Sequence, residues 1–156
     1  MTPSDHSQQS KQLRLAKCLV RIALAAAFLS AVADRFGLWG PPGSEGVVWG
    51  NIKNYEAYVQ LLNWFAPASL IPFLGWVATV AEIVIAIGLL IGWKLRWFSL
   101  AAGILLSIFT ITMMSAFGPK PPLDYSVLSA ASAAFLLFTV SAPGNRNHPQ
   151  RNDKTV

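Results

Sequence analysis

The sequence predicts an all-α fold: an integral membrane four-helix bundle, with an additional interfacial amphipathic helix between spans 1 and 2. Three observations lead there. Of the 156 residues, 54% are hydrophobic and only 12% are charged, against about 25% charged in soluble domains. The apolar residues gather into runs long enough to cross a bilayer, which takes about 20 of them in a helix. The basic residues lie in the tails and in short turns between those runs, which is the pattern of membrane topology.

Residues 1–15 open with a polar segment rich in Ser, Gln and His, read as a disordered cytoplasmic tail. The four-span domain occupies residues 16–141. Lys11, Arg14, Lys17 and Arg21 lead into the first span, at about 16–38, which ends with Asp34 and Arg35 near its outer end. The basic leader and Ala31-Val32-Ala33 also fit a secretory signal peptide cleaved after Ala33. The retained span is adopted, because three later spans need a packing partner. Cys18, at the inner edge, reads as a small buried residue. Asp34 and Arg35 read as an interfacial ion pair of little energetic weight.

Gly40-Pro41-Pro42-Gly43-Ser44 breaks the helix and opens a loop. Residues 51–65 then place Tyr55, Tyr58, Leu62 and Phe65 at three- and four-residue spacing, in a segment too short and polar to span. An interfacial anchor is the plainer reading and a lid over a cavity the functional one. The second span, at about 69–92, turns back through Trp93-Lys94-Leu95-Arg96-Trp97. The third, at about 97–117, stops at Gly118-Pro119, since proline removes a helical donor. A short fourth span, at about 124–141, has Asp124 as its expected cap. Residues 142–156 form a second cytoplasmic tail.

Charge sets the orientation. Lys11, Arg14, Lys17, Arg21, Lys94, Arg96, Arg146, Arg151 and Lys154 fall on one side, and Arg35, Lys53 and Lys120 on the other. The positive-inside rule puts both termini in the cytoplasm of a multi-pass inner (plasma) membrane protein. The same placement of charge argues against nucleic acid as the reason for the net +5. A single cysteine cannot form an intrachain disulfide. His6 and His148 lie in the tails, so no metal site is expected, and neither is a haem or cluster. Met113 and Met114 read as packing residues.

Small and weakly polar residues predict the packing faces: Ala26, Ser30 and Asp34 in the first span, and Gly75, Ala78, Thr79, Glu82 and Ala86 in the second. Gly103, Ser107, Thr110 and Met114 do so in the third, and Ser126, Ser129 and Ala133 in the fourth. Such stripes let helices approach closely in lipid. Only Glu82 exceeds that reading. A carboxylate near the middle of a span is costly unless it is paired, protonated or facing a wet cavity. Glu82 is therefore the candidate catalytic residue, with Arg21 as its candidate partner. Their helices run in opposite directions, and two long side chains reach across the difference in depth. If they meet, Glu82 stays ionised, and if not, it stays protonated; the pair is the reading adopted.

Arg21, Ala81-Glu82 through Gly88-Leu89-Leu90-Ile91-Gly92, the tight basic turn and Pro122-Leu123-Asp124-Tyr125-Ser126 together resemble the DoxX family. The likeness covers about residues 16–140. It implies a four-helix inner-membrane protein. Some relatives are the DoxD-type subunit of thiosulfate:quinone oxidoreductase, and others associate with redox or detoxification proteins. From it follows the expected function, an accessory or quinone-facing subunit of a membrane redox complex, with a diffusible quinone rather than a covalently bound cofactor. Redox proteins and the lipid bilayer are the expected partners. A structural membrane partner without catalysis, and a small-solute or lipid-handling bundle, are the alternatives. Enzymatic activity and oligomeric state stay open.

Overall fold

A computed structural model describes residues 3–142. Its elements are α-helices α1 (Pro3–Arg35), α2 (Ile52–Leu62), α3 (Ile71–Ile91), α4 (Leu95–Phe117), α5 (Lys120–Asp124) and α6 (Val127–Val140), with a 3-10 turn at Ala68–Leu70 leading into α3. Three helices are long and apolar enough to cross a membrane: Ser7–Arg35, Ala68–Ile91 and Leu95–Phe117. These make the protein an all-helical membrane bundle.

α1 begins at Pro3, so the segment predicted as a disordered tail is helical from there on. No proline or glycine interrupts it before Gly37, and Leu13, Leu15 and Leu19 carry the apolar surface back towards the N-terminus. The fourth apolar helix is shorter than predicted. A glycine-proline stop and a separate turn of helix, α5, use up the start of the segment, leaving α6 with 14 residues. That is about 21 Å of helix, against a hydrocarbon core of about 30 Å. Asp124 does not cap it. Asp124 ends α5 and pairs with Lys120, while Ser126, in a left-handed conformation, precedes α6 without a side-chain cap. The basic tail with His148, Arg146, Arg151 and Lys154 lies outside the described residues.

The main helices pack in a ring, α1 against α3, α3 against α4, α4 against α6, and α6 back against α1. The tight core lies at the end where Arg21 and Arg96 sit and is built from Leu24, Ala25, Phe28, Ile85, Ala86, Leu89, Ala102, Ala134 and Leu137. In lipid this packing is dispersion between close backbones rather than escape from water. Gly88 shows how close: a Cβ there would lie 2.3 Å from the Phe98 ring. Gly103 plays the same part for Phe135 across the α4–α6 contact, at 2.8 Å.

The predicted stripe of α3 faces inward as expected, with Gly75, Thr79, Glu82 and Ala86 buried. On α4, Gly103 and Thr110 are buried, while Met114 is exposed and Met113 takes its place inside. On α1 and α6 the faces differ from the expectation. Ala26 and Ser30 are exposed, and Leu24, Ala25, Phe28 and Val32 are buried. Ser126 and Ser129 are exposed, and Ala131, Ala134 and Leu137 are buried. Both helices are rich in alanine on every side, so small residues mark no unique face. Cys18 is exposed, not buried.

Candidate functional site

Glu82 is 1% exposed on the inner face of α3 and pairs with Arg35, itself 3% exposed at the end of α1. Arg35 Nη2 donates to Glu82 Oε1 at 2.8 Å, and Nη1 lies 2.7 Å from Oε2. Nη1 directs its hydrogen bond to Thr79 Oγ1 at 2.8 Å. Oε2 therefore has an ionic contact with no hydrogen bond aimed along it. Thr79 in turn donates to the Gly75 carbonyl at 2.8 Å, one turn back along α3. Two aromatic faces cover the guanidinium, Tyr55 at 3.9 Å and Trp49 at 5.3 Å from the ring centroids. A desolvated guanidinium gains about 2 kcal/mol from such faces.

Arg21, the partner expected from sequence, does not meet Glu82. Its Nε donates to the Leu89 carbonyl at 2.7 Å and its Nη2 to the Leu90 carbonyl at 2.8 Å. It therefore caps the C-terminus of α3, where the last carbonyls lack intrahelical donors and the helix dipole favours a cation. The approach depends on Gly92, whose φ is +77° and where a Cβ would lie 2.5 Å from Arg21 Nη2.

Asp34 and Arg35 do not form the exposed pair expected either. Successive helical side chains point about 100° apart, and these two serve different elements. The Asp34 carboxylate accepts from the backbone N–H groups of Val48, Trp49 and Gly50 at 2.9, 3.1 and 3.2 Å. It thereby folds residues 36–51 back over the end of α1 and sets Trp49 against Arg35. Gly50 fits this turn because its φ is +66° and a Cβ would lie 2.5 Å from the Pro42 nitrogen.

α2 completes the site. Asn51 caps it by accepting from the Asn54 N–H at 2.8 Å. Its Tyr55 and Val59 pack over Gly75 of α3, together with Ile71. Tyr58 stacks on Phe117 of α4, 5.7 Å between centroids, and touches Trp49 at 5.6 Å. Phe65, expected on the same stripe, lies beyond the helix and is exposed. Burial raises the Tyr55 phenol pKa; Arg35 opposes this and Glu82 adds to it. Burial also raises that of Tyr58, with Tyr125 adding to it. Both phenols are hydrogen-bond donors at neutral pH.

Between α1, α2, α3, α4 and the start of α6, running from the edge of the tight core towards the Arg35 end, lies a cavity of about 1040 Å³. It is larger than most ligand pockets. Its wall is mainly apolar, and Arg35, Glu82, Trp49 and Tyr58 are among its few polar groups. The space exists because small residues stand where a bundle would otherwise carry Leu or Phe: Ala27, Ser30 and Ala31 on α1, Ala78 and Ala81 on α3, and Ala130 on α6. The small face of α1 predicted to meet another helix faces this space in part. Val77 and Ile108 both line it and stand exposed on the outer surface, which opens it sideways. Arg35 Nε and Trp49 Nε1, in two of the lining residues, are buried away from the open space and have no acceptor. Among the described residues, no three His, Cys, Asp or Glu gather as metal ligands.

The model for methylamine utilisation protein MauE matches residues 11–124, well over half of the chain. The protein belongs to the MauE family. That match, rather than one to DoxX, is what the family comparison shows. It takes in α2, α3, α4 and nearly all of the membrane part of α1, and so every residue of the Arg35–Glu82 cluster. No curated protein and no solved structure matches the chain.

From sequence alone, Arg35, Tyr55 and Thr79 take other roles, in an interfacial pair, an interfacial helix and a packing stripe, and Trp49, which covers Arg35, is not named. The signal available for Arg35 was its position. It is a cation at the end of an apolar run, on a helix antiparallel to the one that carries the buried carboxylate.

Proposed function

We propose that this MauE-family protein is an accessory component of a membrane redox assembly that holds a quinone-like amphiphile in the 1040 Å³ cavity. The observation that carries the reading is a buried ionic cluster set in the wall of an apolar, laterally open space. A quinone suits such a site chemically. Its ring is flat and apolar on both faces, as Trp49 and Tyr58 favour. Its carbonyl oxygens are acceptors for donors on the wall, the Tyr58 hydroxyl among them. Its isoprenoid tail belongs in lipid, which the cavity reaches past Val77 and Ile108. The family description, methylamine utilisation, supports service to a metabolic process. Glu82, beside the ring, is the group to exchange protons with a bound quinol. In this reading the basic end, with Lys17, Arg21, Lys94 and Arg96, faces the cytoplasm.

A second reading keeps the cluster as a device that locks α1 to α3. The bond from Arg35 to Thr79 favours it, since that bond serves packing whether or not a ligand is present. Titration separates the two. A short-chain ubiquinone should quench tryptophan fluorescence saturably in the detergent-purified protein. Ala78→Phe, which fills the cavity, should abolish saturation while the helical circular dichroism is kept. Linear, unsaturable quenching in the wild type would leave the packing reading alone.

A further inference from the structure

We infer that the opposite end of the bundle carries a separate binding site for the phosphate of an anionic phospholipid. A second cavity, of about 410 Å³, lies there between the start of α4, α1 and the end of α6. Lys17, Lys94 and Arg96 line it together with Leu95, Trp97 and Ser141. Arg96 is held in place by aromatic faces, its guanidinium 4.7 Å from the Phe138 centroid and 5.9 Å from that of Trp97. Its Nε is buried with no hydrogen-bond acceptor, as is the hydroxyl of Ser141, another lining residue. Three cations thus line one cavity, and an anionic acceptor seated in it would meet all three.

Protein carboxylates do not supply that acceptor among the described side chains. Glu82 is taken by Arg35 and Asp124 by Lys120. Asp34 is taken by the loop at the other end of α1, and Glu45 and Glu56 lie in that loop and in α2. The first N–H groups of α4, at Leu95 and Arg96, have no intrahelical acceptors and add the positive end of a 23-residue helix. A phosphate diester provides several acceptor oxygens and one negative charge, which matches forked guanidinium and ammonium donors.

A lipid rather than a free anion is the source favoured by the surroundings. Trp93 and Trp97 flank the cavity at 64% and 61% exposed, as tryptophans do at the level of lipid headgroups. Leu90 and Ile91, at 48% and 71% exposed, continue from it along the outside of α3, where acyl chains would lie. The site is distinct from the quinone cavity and does not rest on it.

The test is native mass spectrometry of the full chain in mild detergent, titrated with phosphatidylglycerol, phosphatidylcholine, glycerol 3-phosphate or inorganic phosphate. Phosphatidylglycerol should bind at least tenfold more tightly than phosphatidylcholine and than either soluble phosphate. Lys17→Gln with Lys94→Gln should weaken it by roughly fivefold per lysine. Lys53→Gln with Lys120→Gln, the same charge change at the other end, should leave it unaltered. Ser141→Leu, which fills the cavity without touching charge, should weaken it as well and guards against misfolding of the lysine variant. Equal binding of the two lipids, or retention of phosphatidylglycerol by both the lysine variant and Ser141→Leu, would overturn the inference. Soluble phosphate bound as tightly as lipid would overturn it in favour of a free-anion site.

Discussion

Arg35 and Glu82, 47 residues apart in the chain, meet with nitrogen–oxygen distances of 2.7 and 2.8 Å, at 3% and 1% exposure. Such a pair gains little over an apolar replacement, yet breaking it on one side leaves an uncompensated charge at a cost of about 3–5 kcal/mol. Glu82→Met and Arg35→Met should each destabilise the bundle by about that amount. The double variant Arg35→Met, Glu82→Met should recover most of the loss. Thermal unfolding in detergent, read as a double-mutant cycle, measures the coupling. Additive losses would show that the two do not depend on one another.

Arg21→Ala should behave differently. It removes two charge-assisted bonds at a half-buried helix end, worth about 1–3 kcal/mol together. Its effect should add to that of Glu82→Met with no coupling, because its acceptors are the Leu89 and Leu90 carbonyls. A coupling energy above about 1 kcal/mol would contradict this placement.

The choice between the two arginines was open to physical reasoning, though hydropathy and depth alone did not make it. Helical side chains tilt towards their own N-terminus. α1 and α3 are antiparallel, so Arg35 leans down towards Glu82 while Glu82 leans up towards Arg35. Arg21, lower on the same helix, leans the same way and therefore away from Glu82, to the end of α3. The all-helical membrane fold and the burial of Glu82 were legible because hydropathy and lone intramembrane charge are strong signals. The buried faces of α1 and α6 were not, since alanine lies on all sides and packing partners decide. The cavity was not legible either. It is a volume left by Ala27, Ala78, Ala81 and Ala130 together, and no one of these residues announces it. Nor does any sequence pattern join Asp34 to amides in the loop that follows it.

That last contact makes its own prediction. Asp34→Ala removes the acceptor shared by Val48, Trp49 and Gly50, leaving amides at a cost of roughly 1–3 kcal/mol. Hydrogen exchange in residues 47–51 should accelerate by at least tenfold, while the core helices near Leu89 and Ala102 stay protected. Exchange spreading equally through α3 and α4 would show that the loop is not a separate unit. Unchanged exchange would show that Asp34 does not hold it.

Topology follows from the charge asymmetry. Reporter fusions after Arg96 should read cytoplasmic, and fusions after Lys53 and after Lys120 external. A fusion after Arg151 tests whether the 14-residue α6 crosses the bilayer with help from α5, and should read cytoplasmic. An external reading there would reduce the bundle to three crossings.

The most direct measurement is the lipid-soluble material that leaves with the protein. Wild-type protein purified from its native membrane in mild detergent, then extracted into organic solvent, should release close to one quinone per chain. Ala78→Phe, with unfolding temperature and helicity kept, should release about a tenth of that or less while retaining its ordinary phospholipid. Quinone at background level in the wild type, or equal amounts in wild type and Ala78→Phe, would contradict the account.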